Sequence, residues 1–302
     1  MENLCNICPR MCNVDRNKNL GFCKASNEVK IAKVMLHYFE EPIISGEDTK
    51  TQKAKGSGAI FFSNCSLKCC YCQNHKISAC GEGKIVTTQS LADLFKQLEN
   101  AGANNINLVS PTHYSLQIIE ALKIYKPKIP IVWNTSGYEN ESTIKLLENY
   151  VDVYLTDLKY FSSDISQKYS LAKNYFENAS KAILQMRKNQ PVDIIKNGLM
   201  QKGLIIRHMV LPNQTIDSKN IIDWINSNLG NNVYFSFMSQ YVPMANAKDH
   251  PEINRKLKPL EYKILTNHLL KLNFNNTFIQ DFESATDYFT PDFKEQTSDF
   301  NY

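Results

Sequence analysis

The sequence predicts an α/β fold of six βα units in series, arranged as an incomplete barrel or as a doubly wound sheet. Two observations predict it. Six apolar segments of strand length recur along the chain, and their near-continuous apolar character is typical of parallel strands covered on both faces. The segments between them show helical periodicity. The length of 302 residues suits one such unit with an appendage.

The strands and helices can be read in order. The predicted strands are GAIFFSN from Gly58, NINLVSP from Asn105, IPIVWNTSG from Ile129, VDVYLTDLKY from Val151, LIIRHMVLP from Leu204 and NVYFSFMSQY from Asn232. One helix carries the apolar stripe Leu91, Leu94, Phe95 and Leu98, and another the stripe Ile221, Ile222, Ile225 and Leu229. Gly102 and Gly230 stand where helix C-caps are expected. A last helix is predicted over residues 258 to 272.

Composition excludes several classes of protein. Hydrophobic residues make up 43% of the chain and charged residues 21%, which excludes a disordered or collagen-like chain. The net charge of +4 is too small to indicate a nucleic-acid partner. No run of about 18 apolar residues and no secretion signal is visible, so we expect a cytoplasmic protein without a membrane partner. Its nine cysteines, an odd number, then indicate metal or redox chemistry rather than disulfides.

Polar residues cluster where each predicted strand ends. In α/β folds the loops at the carboxyl ends of the strands converge on one ligand-binding mouth. Any one of these residues is equally well explained as a loop starter or helix N-cap, but the pattern recurs at all six strands. The residues are Asn64 and Cys65; Ser110, Thr112 and His113; Asn134 and Ser136; Asp157 and Lys159; Arg207 or His208; and Ser239 and Gln240.

Four cysteines lie in SNCSLKCCYCQNHKIS, residues 63 to 78. Cys65, Cys69 and Cys72 have the spacing C-x3-C-x2-C directly after the first strand, which puts three thiolates on one loop. Soft thiolates bind iron–sulfur clusters or zinc; three ligands leave one iron of a four-iron cluster open, whereas a structural zinc site closes with four. Local candidates for a fourth ligand are Cys70, Cys80 and His75. Cys70 is the weakest, because adjacent side chains point apart in an extended loop.

The stretch CSLKCCYCQN resembles the cluster loop of radical S-adenosylmethionine enzymes, with its C-x3-C-x-aromatic-C signature and Tyr71 at the aromatic position. The resemblance implies a 4Fe-4S cluster held by Cys65, Cys69 and Cys72, with S-adenosylmethionine chelating the open iron. It also implies a partial (β/α)6 TIM-like barrel. We therefore expect a Cys-rich metal-binding segment and connector over residues 1–50, the barrel over 51–275 and a tail over 276–302.

A narrower resemblance spans almost the whole chain. The stretches CPRMCNVDR, HYFEEPIISG, GSGAIFFSNC, NINLVSPTHY, PIVWNTSGY, DLKY and LIIRHMVLP are similar to a group of uncharacterised relatives of pyruvate formate-lyase activating enzyme. The resemblance implies that an electron from a partner such as flavodoxin or ferredoxin enters the cluster and cleaves S-adenosylmethionine. The resulting 5′-deoxyadenosyl radical then removes a hydrogen atom from the substrate.

The resemblance and the strand ends together suggest the cofactor contacts. Asp157 and Lys159, in the DLK strand end, are expected at the S-adenosylmethionine site, although a surface salt bridge is the alternative. Arg207 offers a guanidinium group that can bind a cofactor carboxylate through two hydrogen bonds. The other expected cofactor contacts are Tyr71, Asn134, Ser136 and Gln240.

One departure from the activating enzymes is visible after the second strand. Those enzymes carry Gly-Gly-Glu there to hold the amino group of S-adenosylmethionine, whereas this chain reads SPTH. Ser110 and Thr112 can offer hydrogen bonds instead, and His113 either a switchable one or a purely structural one.

The N-terminal cysteines form a second group, Cys5, Cys8, Cys12 and Cys23, in a segment too short to have its own core. Such a segment folds when stapled by metal, and four soft ligands suit an auxiliary 4Fe-4S cluster or a closed zinc site. In the connector HYFEEP, His37, Glu40 and Glu41 either face the substrate or pair with nearby lysines.

Three functions are consistent with these features. The first is radical chemistry on a protein or peptide, such as the activation of a glycyl-radical enzyme. The second is the same chemistry on a small metabolite. The third is a non-catalytic iron–sulfur or zinc redox sensor, which would need both cysteine groups but no cofactor contacts at the strand ends.

Overall fold

The computed structural model describes residues 4–46 and 55–280, together with residues 282, 293, 300 and 302. The strands are β1 Val29–His37, β2 Ser57–Phe62, β3 Lys84–Val86, β4 Ile106–Val109, β5 Ile131–Thr135, β6 Val153–Asp157, β7 Ile194–Lys196, β8 Leu199–Met209, β9 Tyr234–Met238 and β10 Thr277–Ile279. The helices are α1 Pro42–Ser45, α2 His75–Ser78, α3 Thr88–Asn100, α4 Ser115–Ile124, α5 Glu141–Leu146, α6 Ser163–Ser170, α7 Tyr175–Asn189, α8 Thr215–Leu229 and α9 Pro259–Lys271.

Six parallel strands form the centre of the fold. They lie in the spatial order β2, β4, β5, β6, β8, β9 and correspond to the six strands predicted from the sequence. The sheet is open: β1 pairs antiparallel to β2 and β3 to β1 at one end, while β10 pairs parallel to β9 at the other. The prediction of a partial (β/α)6 barrel is confirmed.

The helices that cover the outer face follow the predicted stripes. In α3 the hydroxyl of Thr87 accepts a hydrogen bond from the Ser90 amide, and Leu91, Leu94, Phe95 and Leu98 are buried. Gly102 has a φ of 81° just after this helix, as expected at a C-cap. The last helix, α9, matches the prediction for residues 258 to 272. Within the described residues, no helix is both long enough and apolar enough to cross a membrane.

The connector before the first central strand lies inside the barrel. Ile43 and Ile44 of α1 pack with the inward-facing side chains Val132, Val153, Leu155, Met200 and Ile205. The side-chain amide of Asn105 donates to the Ile44 carbonyl at 2.8 Å, which fixes α1 against the start of β4. Because α1 fills the lower part of the barrel, the residues just before it point into the strand ends above.

The predicted domain limits can be compared with the structure in part. The limit between residues 50 and 51 lies outside the described residues. In the predicted tail, residues 277–279 form β10 and extend the central sheet. Of the stretch TPDFKEQTSDFNY, residues 293, 300 and 302 are described; Phe293 packs edge-on against Phe61, with 5.6 Å between ring centroids.

Candidate active site

One cavity lies at the carboxyl ends of the central strands. Its lining brings together three cysteines of the loop and every predicted cofactor contact except Thr112: Cys65, Cys69, Tyr71, Cys72, Ser110, Asn134, Ser136, Asp157, Lys159, Arg207 and Gln240. It also contains His37, Phe39 and Glu40 from the connector. The convergence follows from the parallel topology, which brings every strand end to the same edge.

The cysteine loop leaves β2 through Asn64, which has a φ of 74°. Its backbone is fixed against the end of α6, because the Cys70 amide donates to the Tyr169 carbonyl at 2.8 Å and the Lys68 amide to the Ser170 carbonyl at 3.4 Å. This arrangement turns Cys69 into the cavity, whereas Cys70 is not part of the lining. The view of Cys70 as the weakest ligand candidate agrees with its position.

Each of the three cavity-lining sulfurs has a hydrogen-bonding neighbour. The Leu67 amide donates to Cys65 Sγ at 3.5 Å and the Ser170 hydroxyl to Cys69 Sγ at 2.9 Å. Cys72 Sγ lies 3.2 Å from Ser78 Oγ. Hydrogen bonds to cysteine sulfur are typical of iron–sulfur sites, where they stabilise the charge on the thiolates.

The electrostatics of the loop fit a metal cluster. Burial, with smaller contributions from Cys69 and Cys72, raises the pKa of Cys65 to about 12, so a free thiolate at Cys65 would be unfavourable here without metal cations. Lys68 acts in the opposite direction on Cys65, and its buried ammonium has no hydrogen-bond partner among the described residues. An anionic thiolate-bound cluster would balance that charge.

A single metal ion fits less well. Over the described ranges, no group of three or more Cys, His, Asp or Glu side chains is placed to hold one ion. A four-iron cluster binds each thiolate to a different iron, so it needs the cysteines around one cavity rather than around one point.

A network of charged side chains forms the opposite wall. Asp157 Oδ2 lies 2.5 Å from Lys159 Nζ, and Asp157 Oδ1 lies 2.9 Å from Arg207 Nε. Arg207 Nη2 donates to Asn134 Oδ1 at 2.6 Å. Burial alone would raise the pKa of Asp157, but Lys159 and Arg207 lower it below its usual value. The Asp157–Lys159 pair therefore belongs to a buried network and is not the surface salt bridge considered as an alternative.

The second acid of this network, Glu40, comes from the connector. Glu40 Oε1 accepts hydrogen bonds from the side-chain amides of Asn107 and Asn134, both at 3.0 Å. Glu40 Oε2 pairs with Arg207 Nη1 at 3.1 Å. Of the two interpretations left open for Glu40, pairing with a nearby lysine does not match the structure: Glu40 lines the cavity, and its ion-pair partner is an arginine 167 positions away. Sequence reasoning missed this contact because nothing in HYFEEP shows that the connector enters the barrel.

The end of β4 contributes less than expected. Ser110 lines the cavity, but the Thr112 hydroxyl donates to Glu139 Oε1 at 2.7 Å and lies outside the lining, which corrects its expected cofactor contact. His113 is buried, and its Nε2 lies 2.8 Å from the Ser63 carbonyl. Burial lowers the pKa of His113 to about 3, which favours its structural interpretation over a switchable one.

The remaining predicted contacts lie around the rim. Ser136 lines the cavity, and its carbonyl accepts from the Tyr175 hydroxyl at 2.7 Å. Gln240 lines the far side. Tyr71 also lines the cavity, but its hydroxyl lies 2.6 Å from that of Tyr160. Direct contact of these residues with a cofactor stays a prediction.

The four N-terminal cysteines approach one another beside the barrel. Burial raises the pKa of Cys8 to about 12, with smaller contributions from Cys23 and Cys5. The Phe22 amide donates to Cys12 Sγ at 3.3 Å. As noted for the described ranges, the side chains are not placed around a single ion. The auxiliary cluster or zinc at this group stays a prediction.

The N-terminal segment is attached to the cysteine loop. Arg10 Nε donates to the Ser66 carbonyl at 2.9 Å, between the first two cysteines of the loop, and its guanidinium lies 3.7 Å from the centroid of the Phe22 ring. The Thr143 hydroxyl donates to the Ile7 carbonyl at 2.7 Å. Arg10 therefore joins the segment of the N-terminal cysteines directly to the cysteine loop.

This chain is similar in sequence to known proteins. A sequence model described as the radical SAM superfamily matches residues 59–225, which include the cysteine loop. The chain is 34% identical over 267 residues to an uncharacterized protein of Methanocaldococcus jannaschii, MJ0674, covering 84% of this chain and 70% of that one.

Two solved structures of Streptococcus suis SuiB are similar in fold. SuiB bound to the precursor peptide SuiA has a TM-score of 0.47 and 16% identity, covering 74% of this chain and 48% of SuiB. SuiB bound to S-adenosylmethionine has a TM-score of 0.45 and 14% identity, covering 74% and 47%. The chain spans about half the length of SuiB. The narrower resemblance to relatives of pyruvate formate-lyase activating enzyme stays a prediction, but the sequence match and the 34% identical relative establish the wider family: the chain belongs to the radical SAM superfamily.

Proposed function

We propose that this chain is an enzyme that uses Cys65, Cys69 and Cys72 to hold a 4Fe-4S cluster and the wall opposite to hold S-adenosylmethionine. When bound, these groups supply one-electron cleavage of the sulfonium C–S bond and hydrogen-atom abstraction by the 5′-deoxyadenosyl radical. The observation that carries the proposal is the single cavity shared by the three cysteines and the Asp157–Lys159–Arg207 network.

The network is suited to a zwitterionic cofactor. Arg207 uses three of its five N–H donors, to Asp157, Glu40 and Asn134, so two are left for a ligand carboxylate as far as the described residues go. Asp157 is held in its charged form, and it can accept from hydroxyl groups of a ribose. A redox sensor would not need this wall, so the wall argues against the non-catalytic interpretation.

We propose a protein or peptide as the substrate, which includes activation of a glycyl-radical enzyme, and flavodoxin or ferredoxin as the electron donor. The open sheet supports this, because its central strands run from β2 to β9 without closing. A small metabolite is the second candidate. It is favoured by the connector, whose α1 fills the lower part of the barrel and narrows the space.

The test is the formation of 5′-deoxyadenosine. Anaerobically reconstituted protein, given dithionite and S-adenosylmethionine, should form it, and Cys69→Ala should abolish it while Cys70→Ala retains it. Protein that holds only zinc, or that forms no 5′-deoxyadenosine with any reductant, would overturn the proposal. Stimulation by the protein fraction of a cell extract, compared with its small-molecule fraction, separates the two substrate classes.

A further inference from the structure

A hydroxyl chain, formed by the side chains of Tyr71, Tyr160 and Ser170, ends at the sulfur of Cys69. The Tyr71 and Tyr160 hydroxyl oxygens are 2.6 Å apart, Tyr160 and Ser170 are again 2.6 Å apart, and Ser170 Oγ lies 2.9 Å from Cys69 Sγ. All three hydroxyl-bearing residues are buried, with Tyr160 and Ser170 fully so. Water therefore does not compete for these hydrogen bonds.

The direction of every hydrogen bond in the hydroxyl chain follows from the number of protons. Each hydroxyl has one proton to donate. Because Ser170 donates its proton to Cys69 Sγ, its oxygen must accept from Tyr160, and Tyr160 must then accept from Tyr71. All the dipoles thus point toward the sulfur, and hydrogen bonds arranged in this way polarise one another.

Backbone contacts hold the hydroxyl chain next to the cysteine loop. Ser170 is the last residue of α6, and the backbone bonds from Lys68 and Cys70 to the end of that helix hold it beside Cys69. Tyr71 stands at the aromatic position of the cysteine signature, and its hydroxyl is hydrogen-bonded to that of Tyr160.

We propose that Tyr71, Tyr160 and Ser170 are positioning residues that raise the reduction potential of the cluster through Cys69. This inference rests on the proposed function, since it requires the cluster at these cysteines. Reduction adds negative charge that spreads onto the sulfurs, so a hydrogen-bond donor stabilises the reduced form more than the oxidised form. Hydrogen bonding to sulfur is one of the factors that set such potentials.

The structure predicts a graded effect. Ser170→Ala removes the donor itself, so we expect the reduction equilibrium to move about tenfold toward the oxidised cluster, about 59 mV for one electron. Tyr160→Phe leaves Ser170 in place but removes its polarising neighbour, so a smaller shift in the same direction is expected. Tyr71→Phe should give the smallest shift.

Tyr241→Phe is the matched control. Tyr241 is fully buried and packs edge-on against Tyr71 at 5.7 Å between ring centroids, but its hydroxyl donates to the Ile253 carbonyl at 2.8 Å. Removing this hydroxyl disturbs a buried tyrosine next to the hydroxyl chain without changing any donor to Cys69. The potential of Tyr241→Phe should equal that of the unchanged protein.

The experiment is a redox titration with dithionite, followed by the electron paramagnetic resonance signal of the reduced cluster, after iron and sulfide have been measured in each protein. Unchanged protein without a four-iron cluster would overturn the proposed function, and this inference with it. If the unchanged protein holds the cluster, equal potentials in Ser170→Ala and the control would overturn the inference alone. Should Ser170→Ala fail to fold or to hold the cluster, Tyr160→Phe decides: a negative shift supports the inference and no shift overturns it.

Discussion

Glu40 offers the sharpest test of the network that faces the cysteines. Its carboxylate accepts from Asn107 and Asn134 on Oε1 and pairs with Arg207 on Oε2. In Glu40→Gln, either orientation of the amide places an NH2 group against a donor. If the oxygen faces the two asparagines, the NH2 faces Arg207; if it faces Arg207, the NH2 meets both asparagine amides.

The magnitude follows from burial and from the remaining partner. The side chains of Arg207 and Glu40 are 15% and 10% exposed, so solvent screens the pair weakly. Removing one partner of a buried ion pair costs about 3–5 kcal/mol. Arg207 keeps Asp157 at 2.9 Å, so we expect a smaller loss in the free energy of unfolding, about 2–3 kcal/mol.

Urea unfolding followed by circular dichroism measures this loss, provided that the denaturant dependence stays the same. The matched control is Glu177→Gln, which removes an exposed carboxylate paired with Lys181 at 2.9 Å, where about 0.5 kcal/mol or less is expected. If Glu40→Gln costs no more than Glu177→Gln, the proposed role of Glu40 in holding Arg207 is wrong.

Three further predictions concern protonation and metal. Burial raises the pKa of Glu139 from 4.5 to about 7, so the folded chain holds this proton more tightly than the unfolded chain. The free energy of unfolding should therefore fall by roughly 3 kcal/mol as pH rises from 4.5 to 7, and Glu139→Gln should lack this fall in urea titrations across pH. Cys69→Ala should lose most of the iron that Cys70→Ala retains after reconstitution, measured by metal analysis; equal iron in both would refute the ligand assignment. Joint replacement of Cys5 and Cys8 by serine should remove about four iron atoms per chain if that group holds a cluster. Loss of zinc with unchanged iron would instead identify a zinc site.

Patterns within one segment were sufficient to predict most of the fold. The central strands were visible because parallel strands buried on both faces are apolar throughout, and α3 and α8 because their buried residues recur at helical spacing. Asp157, Lys159 and Arg207 were found because they stand at or just beyond the carboxyl ends of such strands. Parallel topology brings strand ends together without any need to know the loops between them.

Contacts between distant segments could not be predicted in this way. Glu40 meets Arg207 only because the connector folds into the barrel, and no periodicity in the connector signals this. Thr112 follows a strand, as the pattern requires, but the turn at Thr112–Tyr114 directs its hydroxyl to Glu139. Ser170 was missed because a serine at the end of a helix has no sequence signal for contact with a cysteine 101 positions away.

The central claim is that the three cysteines and the charged wall serve one cofactor pair in one cavity. Electron paramagnetic resonance of the reduced, reconstituted protein tests it most directly, with and without S-adenosylmethionine. We predict that S-adenosylmethionine changes the cluster signal in the unchanged protein, and that Lys159→Met keeps the cluster but shows a weaker response to the same S-adenosylmethionine concentration. A cluster signal that S-adenosylmethionine never alters in the unchanged protein would contradict the claim.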